Sequence, residues 1–308
     1  MKGIVIKTTG KRYTVKTNSG DILQCRLKGT FRIKGIKSTN PIVVGDKVEL
    51  EQESELWMIK RLFDRKNHII RKSVNLSKQT HVIAANIDQA ILMITLDSPI
   101  TTTGFIDRFL VSANAYGVEV VLFFNKLDIY NDLLLQNQKK LTQVYQKIGY
   151  NTIALSVLHD DLSVVKEIMK DKLNMISGHS GVGKSTLINK LQSNLYIDTK
   201  EVSDTHKQGQ HTTTFSELYD LSFGASIIDT PGIRGFGLVE LNPSEIGDYF
   251  PEFFTLKQKC KFHNCIHKDE PDCAVKSALR QEKIALSRYK NYLTMLEGEQ
   301  EHYRINNY

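Results

Sequence analysis

The run Gly178-His179-Ser180-Gly181-Val182-Gly183-Lys184-Ser185 restricts this chain more than any other stretch. It has the form G-x-x-x-x-G-K-S. An apolar run, residues 173–176, precedes it, and Thr186-Leu187-Ile188-Asn189 continues it as a helical pattern. Strand, glycine turn and helix in that order let successive backbone N–H groups turn inward around phosphate oxygens, and the helix amino end adds partial positive charge. In such a loop Lys184 would reach the β- and γ-phosphates, and the Ser185 hydroxyl would ligate Mg²⁺. The loop calls for an α/β domain and a nucleotide, without saying which base.

The surrounding chain agrees. Continuous apolar runs at 90–96, 119–124, 152–155, 173–176 and 226–229 read as strands buried on both faces of a parallel sheet. Helical stretches at 105–116, 131–148, 161–172 and 184–191 alternate with them. The first 72 residues differ. Short alternating runs at 4–7, 12–17, 22–27, 46–50 and 57–62 are separated by turns such as Asn18-Ser19-Gly20-Asp21 and Val44-Gly45-Asp46. Five short strands fit a small oligonucleotide-binding barrel, and an SH3-like barrel as well. The polar residues 64–68, then Arg71-Lys72-Ser73, read as the connection onward. The last segment predicts a long helix over 275–296 behind a Cys/His cluster. The expected domains are 1–72, 73–240 and 241–308.

Charge follows the same division. Residues 1–72 carry 17 Lys/Arg against 7 Asp/Glu, residues 73–240 carry 14 against 17, and residues 241–308 carry 10 against 10. Basic character confined to one module suits phosphate-backbone binding, with a merely soluble basic surface as the alternative. The longest apolar runs are five residues, far short of the roughly 20 a membrane span needs. The amino terminus shows no secretory pattern. Three of the four Cys lie within 14 residues, which points to a metal and a reducing, cytoplasmic setting.

Two further motifs specify the nucleotide chemistry. Asn125-Lys126-Leu127-Asp128 directly follows the strand pattern 119–124. An ionised Asp128 can accept hydrogen bonds from N1–H and the 2-amino group of guanine. Adenine would leave that carboxylate unpaired, which gives selectivity of roughly 10³ or more. Asn125 would brace the loop, and the stem of Lys126 would cover the base. Asp229-Thr230-Pro231-Gly232 ends another apolar run. There Asp229 would hold Mg²⁺ through water and the Gly232 N–H would meet the γ-phosphate. The implied cofactors are GTP/GDP and Mg²⁺. A P-loop ATPase or nucleotide kinase is the rival reading, which Asp128 opposes. Intact Lys184, Ser185 and Asp229 oppose an RNA-binding scaffold that never turns nucleotide over.

The order of the motifs is unusual. The base-reading segment precedes the phosphate loop by 53 residues, and nothing after Asp229 replaces it. This is a circular permutation, tolerated because chain ends in such domains lie close together. Ser156 then takes the place of the second, short base loop. The cluster Cys260-x₄-Cys265-x-His267-x₅-Cys273 supplies three thiolates and an imidazole, a closed tetrahedral shell for structural Zn²⁺, with His263 as an alternative to His267. Cys25 stands alone on a strand pattern and reads as buried.

The permuted order and the cluster together resemble the ribosome small-subunit-dependent GTPase family, RsgA or YjeQ. Further matches are Gly209-Gln210-His211-Thr212-Thr213-Thr214, Ala85-Asn86-Ile87-Asp88 and Val44-Gly45-Asp46. The resemblance spans essentially the whole chain. It implies an oligonucleotide-binding barrel, a permuted GTPase domain and a zinc-binding helical domain. It favours His267, through Glu270-Pro271-Asp272-Cys273, as the fourth zinc ligand. It also implies GTP hydrolysis stimulated by the small ribosomal subunit, in the company of other assembly factors, by a cytoplasmic monomer that contacts rRNA. Ile233 stands where Ras-like enzymes place a water-orienting Gln. His211 is therefore the candidate to align water, and Thr212 or, favoured, Thr213 the candidate third Mg²⁺ ligand. Gly181 stands in place of the Asn of potassium-activated relatives, so potassium dependence is not expected.

Overall fold

The computed structural model describes residues 1–10, 12–28, 41–72, 80–192, 217–229 and 241–297. Five strands, β1 (Lys2–Thr9), β2 (Arg12–Thr17), β3 (Ile22–Leu27), β4 (Lys47–Glu53) and β5 (Leu56–Leu62), pair in the order β1-β2-β3-β5-β4 and close through β1–β4. The β3–β5 pair is parallel and its neighbours are antiparallel. That closed Greek-key order is the oligonucleotide-binding barrel rather than the SH3-like one. Its core is made by inward-facing Val5, Tyr13, Val15, Cys25, Val48, Leu50 and Ile59. Cys25 is thus a core residue, its thiol pushed up to about 11 by burial.

The stretch read as a polar connection contains a strand. β6 (His68–Lys72) pairs antiparallel with β7 (Thr80–Ala85). Alternation is short there and masked by charge, which is why it escapes the sequence pattern.

Next come β8 (Gln89–Ile94), α1 (Thr103–Ala115), β9 (Glu119–Phe124), α2 (Asp132–Lys147), β10 (Asn151–Ala154), α3 (Ser163–Met169), β11 (Leu173–Ser177), α4 (Lys184–Leu191), β12 (Glu217–Asp220) and β13 (Ser226–Asp229). The sheet order is β10-β9-β8-β11-β13-β12, parallel except for β12. Alternate residues feed opposite faces. Leu92, Ile94, Leu122 and Phe124 pack with α1, while Ile91, Met93, Val121 and Phe123 pack with α3 and α4. Every residue of β8 and β11 is buried, so these strands read as largely apolar runs, and the buried Gln89 and Asn174 they contain bond each other at 2.7 Å.

The carboxyl-terminal part holds a 3₁₀ stretch (Pro243–Tyr249), α5 (Pro251–Lys257), α6 (Ala274–Arg280) and α7 (Leu286–Leu296). The single long helix expected over 275–296 is therefore broken. Glu282 adopts a left-handed conformation (φ 55°) and Lys283 N–H returns to Ala278 O. The break turns Ile284 into the core beside Phe253 and Tyr292. That burial outweighs the continuous helix the spacing suggests.

Candidate functional site

Five parallel strands end at one edge of the sheet, so the loops after them share one crevice. The strand order sorts these loops spatially. Asn125 follows β9, Ser156 follows the β10 end, Gly178 follows β11 and Asp229 ends β13, with β8 between the two pairs. Segments separated in the chain by the permutation thereby become neighbours.

One side chain joins them directly. Asn125 is buried; its Nδ2 donates to Val182 O of the glycine loop at 2.8 Å, and its Oδ1 accepts from Val157 N–H at 2.9 Å. Gly183 sits in the left-handed region (φ 101°) at the amino end of α4. A Cβ at Gly183 would lie 2.5 Å from Asn125 Nδ2. The glycine is thus required by the base-side asparagine as well as by the turn.

Asp128 lies in a 3₁₀ turn (Leu127–Ile129) directly after Lys126, itself left-handed at φ 64°. The Asp128 carboxyl is held below the ordinary carboxylate value, foremost by the Ser156 hydroxyl. An ionised, partly exposed carboxylate results, with His159 Nε2 3.8 Å away. Ser156 is buried, and its N–H donates to Asp160 Oδ2 at 2.7 Å. Lys126 Nζ reaches Ser98 O at 2.5 Å.

On the phosphate side, β11, the loop 178–183 and α4 have the strand–turn–helix form expected. Lys184 Nζ lies across the loop, donating to Gly178 O at 2.8 Å and His179 O at 2.6 Å. The His179 ring packs at a 34° tilt against Phe105 of α1, centroids 4.0 Å apart, and its pKa is lowered by burial and then by Lys184. Ser180, Ser185 and Thr186 belong to this same turn and first helical turn. Asp229 is placed by its backbone, opposite Glu217 of β12. His211, Thr212, Thr213, Gly232 and Ile233 lie outside the described residues.

Two contributors were missed in the sequence. Tyr130 is buried; its hydroxyl donates to Asn125 O at 2.9 Å and accepts from Leu96 N–H at 2.6 Å. It ties the end of β8 to the base-side loop. The turn 95–101 supplies Ser98 O to Lys126 and puts Pro99 Cδ 3.6 Å from where a Gly181 Cβ would lie. The only signal for Tyr130 was its place two residues after Asp128.

The second site is local. The ligand atoms of Cys260, Cys265, His267 and Cys273 all lie within 4.8 Å of one another. His267 Nδ1 is 3.4 Å from Cys273 Sγ and 3.7 Å from Cys260 Sγ. His263 is exposed and outside the group, so the geometry selects His267. Burial lowers the His267 pKa, keeping a neutral imidazole able to donate a lone pair. Burial pushes the Cys265 thiol up to about 12 and raises Cys273 as well. Gathered buried thiols resist ionisation unless a cation replaces their protons, and three sulfurs with one imidazole fit tetrahedral Zn²⁺. Glu270, despite its burial, is held low by the Ile266 and Lys268 amides, and Tyr289 OH caps His267 O at 2.7 Å.

Comparison with known proteins agrees with this architecture. Residues 62–239 match the RsgA GTPase family and residues 2–56 the RsgA N-terminal domain. The chain is 56% identical to the small ribosomal subunit biogenesis GTPase RsgA of Flavobacterium johnsoniae, over 100% of this chain and 96% of the relative. It is 49% identical to that of Bacteroides fragilis, over 98% of each. Among solved structures, YjeQ from Thermotoga maritima superposes with a TM-score of 0.79 at 33% identity, covering 96% of this chain and 97% of the other. YloQ, described as a circularly permuted GTPase, gives a TM-score of 0.77 at 27% identity, over 98% and 95%. With its motifs meeting at one sheet edge in permuted order, the chain belongs to the RsgA GTPase family of circularly permuted GTP hydrolases.

Proposed function

We propose that this GTPase acts in late maturation of the small ribosomal subunit, binding the subunit and its rRNA, hydrolysing GTP when bound, and then dissociating. The observation that supports one working site most strongly is the 2.8 Å bond from Asn125 to Val182 O. It couples base reading to phosphate binding through a single side chain.

In this reading Asp128 accepts the guanine N1–H and amino protons, Ser156 supports it, and the Lys126 stem flanks the base. The N–H groups of residues 178–183 surround the phosphates, and Lys184 turns from the loop carbonyls to the β/γ-phosphate oxygens. Ser185, Asp229 and Thr213 hold Mg²⁺, which when bound neutralises developing charge on the phosphates. His211 aligns the attacking water, replacing the Gln that Ile233 cannot mimic. Gly232 senses the γ-phosphate. Cys260, Cys265, His267 and Cys273 hold one structural Zn²⁺, which metal analysis of the purified protein would detect as one equivalent. The chain works as a monomer in the cytoplasm, alongside other assembly factors, in three domains divided near residues 72 and 240. The basic barrel and the zinc domain contact rRNA. Names of the relatives supply the subunit as partner, and the charge excess of residues 1–72 is consistent with it.

The deciding experiment is GTP hydrolysis with and without small subunits for wild type and His211→Ala. Subunits should stimulate the wild type strongly and the variant little. An unchanged stimulated rate in His211→Ala would remove His211 from the mechanism, and no stimulation of wild type would remove the subunit.

A further inference from the structure

The barrel's charge is not evenly available. Among the described residues, Lys7, Lys16, Lys28, Lys60 and Arg65 are each within 4.0 Å of a carboxylate. Lys2 and Arg61 are held in another way. Lys2 Nζ lies 5.3 Å and the Arg61 guanidinium 5.2 Å from the centre of the Phe63 ring. Neither makes an ion pair among the described residues, and both are exposed.

Strand register explains the grouping. Lys2 on β1 faces Glu49 on β4, and Glu49 faces Arg61 on β5. Phe63 N–H bonds Lys47 O at 3.0 Å, so the two backbones lie side by side; Lys47 is exposed and makes no ion pair among the described residues. Two cations therefore lie over one aromatic and a third stands across the β4–β5 ladder from it, with Glu49 in register between Lys2 and Arg61 and Asp64 next to Phe63 in the chain. Arg12 and Arg26 also make no ion pair among the described residues but stand singly on β2 and β3.

A ring restrains a cation without neutralising it. Carboxylate partners cancel charge, whereas the Phe63 ring holds Lys2 and Arg61 without cancelling theirs. Little side-chain entropy remains to be lost on contact with an anion. We propose that Lys2 and Arg61, held by Phe63, form with Lys47 a phosphodiester-binding patch on the β1–β4–β5 face of the barrel. This face is distinct from the β2–β3 face on which such barrels commonly take oligonucleotides. The proposal rests on the rRNA-binding reading above and names the surface that performs it.

The test uses the full-length protein and a short oligouridylate, with affinity measured between about 50 and 200 mM salt. Lys2→Gln with Arg61→Gln should lower the slope of log affinity against log salt by about 1.4, two single-strand phosphate contacts. Lys28→Gln with Lys60→Gln removes the same charge from paired positions and should lower it by less than about 0.5. Phe63→Leu keeps every charge; it should keep the slope while weakening binding about threefold. Equal slope losses in both double variants, no oligouridylate binding by wild type, or equally good displacement by polyglutamate would overturn the patch. If the slope responds as stated but isolated small subunits do not bind the wild type, the patch stands and the ribosomal reading falls.

Discussion

The GTPase domain is joined to its two neighbours by seams built on opposite physical rules. The barrel seam is made largely of backbone. Val44 bridges Ala84, Ala85 N–H bonds Val44 O at 3.0 Å, and Asn86 Nδ2 bonds Gly45 O at 2.9 Å. Asn67 closes it through Ile87 and Gly117. β1 meets β12 at Lys7–Glu217, where the ion pairs are half-exposed. The zinc-domain seam is made of buried side-chain charge. Arg288 of α7, 1% exposed, donates to Asp107 of α1 at 2.7 Å and to both oxygens of Glu252 at 2.7 and 3.0 Å. Asn291 and Tyr145 complete the shell of Asp107 at 2.6 and 2.8 Å. Burial opposes the Arg288 charge, but Asp107 and Glu252 outweigh it and its pKa is raised. The first seam excludes added atoms; the second excludes lost charge.

Asp107, Val111 and Asn114 lie on one face of α1 and meet the zinc domain, Asn114 through Tyr249 O at 2.9 Å. Phe105, two residues before Asp107 and so on the other side of the helix, packs against His179 of the glycine loop. A single helix thus touches the phosphate side and the zinc domain.

The sharpest way to break the contrast is Arg288→Met, which leaves two carboxylates buried without their cation. It should cost about 3–5 kcal/mol in urea unfolding. Adding Asp107→Leu should recover part of that loss, by at least about 1 kcal/mol of coupling. Gly45→Ala changes no charge but forces a Cβ to 2.0 Å from Ala85 O at φ 90°. A loss of about 2–3 kcal/mol is expected there, and a neutral result would refute the close-packed account of the barrel seam. Tyr130→Phe probes the nucleotide site between the seams. Removing its hydroxyl strands Leu96 N–H and loosens Asn125. KM for GTP should rise about tenfold while kcat stays within about twofold. Smallest of all, Lys7→Gln with Lys16→Gln should change stability by less than about 0.5 kcal/mol per pair, because solvent screens these charges. A larger loss would mean that the barrel seam also depends on ions.

What could be read beforehand follows from where the constraint lives. The glycine loop, Asn125 to Asp128 and the Cys/His cluster are short runs whose backbone or ligand spacing is written locally. The parallel strands were legible because burial on both faces leaves largely apolar runs. Arg288 was not, since a lone Arg on a helix reads as solvated, and its partner Asp107 is 181 residues away. Tyr130 acts through backbone atoms of its neighbours, which leave no residue signature. The antiparallel β12 and the break at Glu282 were set by tertiary packing against weak local preference.

Whether Asp128 reads guanine is the claim on which the nucleotide site depends, and Asp128→Asn tests it directly. Xanthine carries an oxygen where guanine has its amino group, so an amide should accept from N1–H and donate to that oxygen. Binding of GTP and XTP to wild type and variant should cross over, with GTP weakened by about 10²–10³ and XTP tightened. Unaltered GTP affinity in the variant would contradict the account.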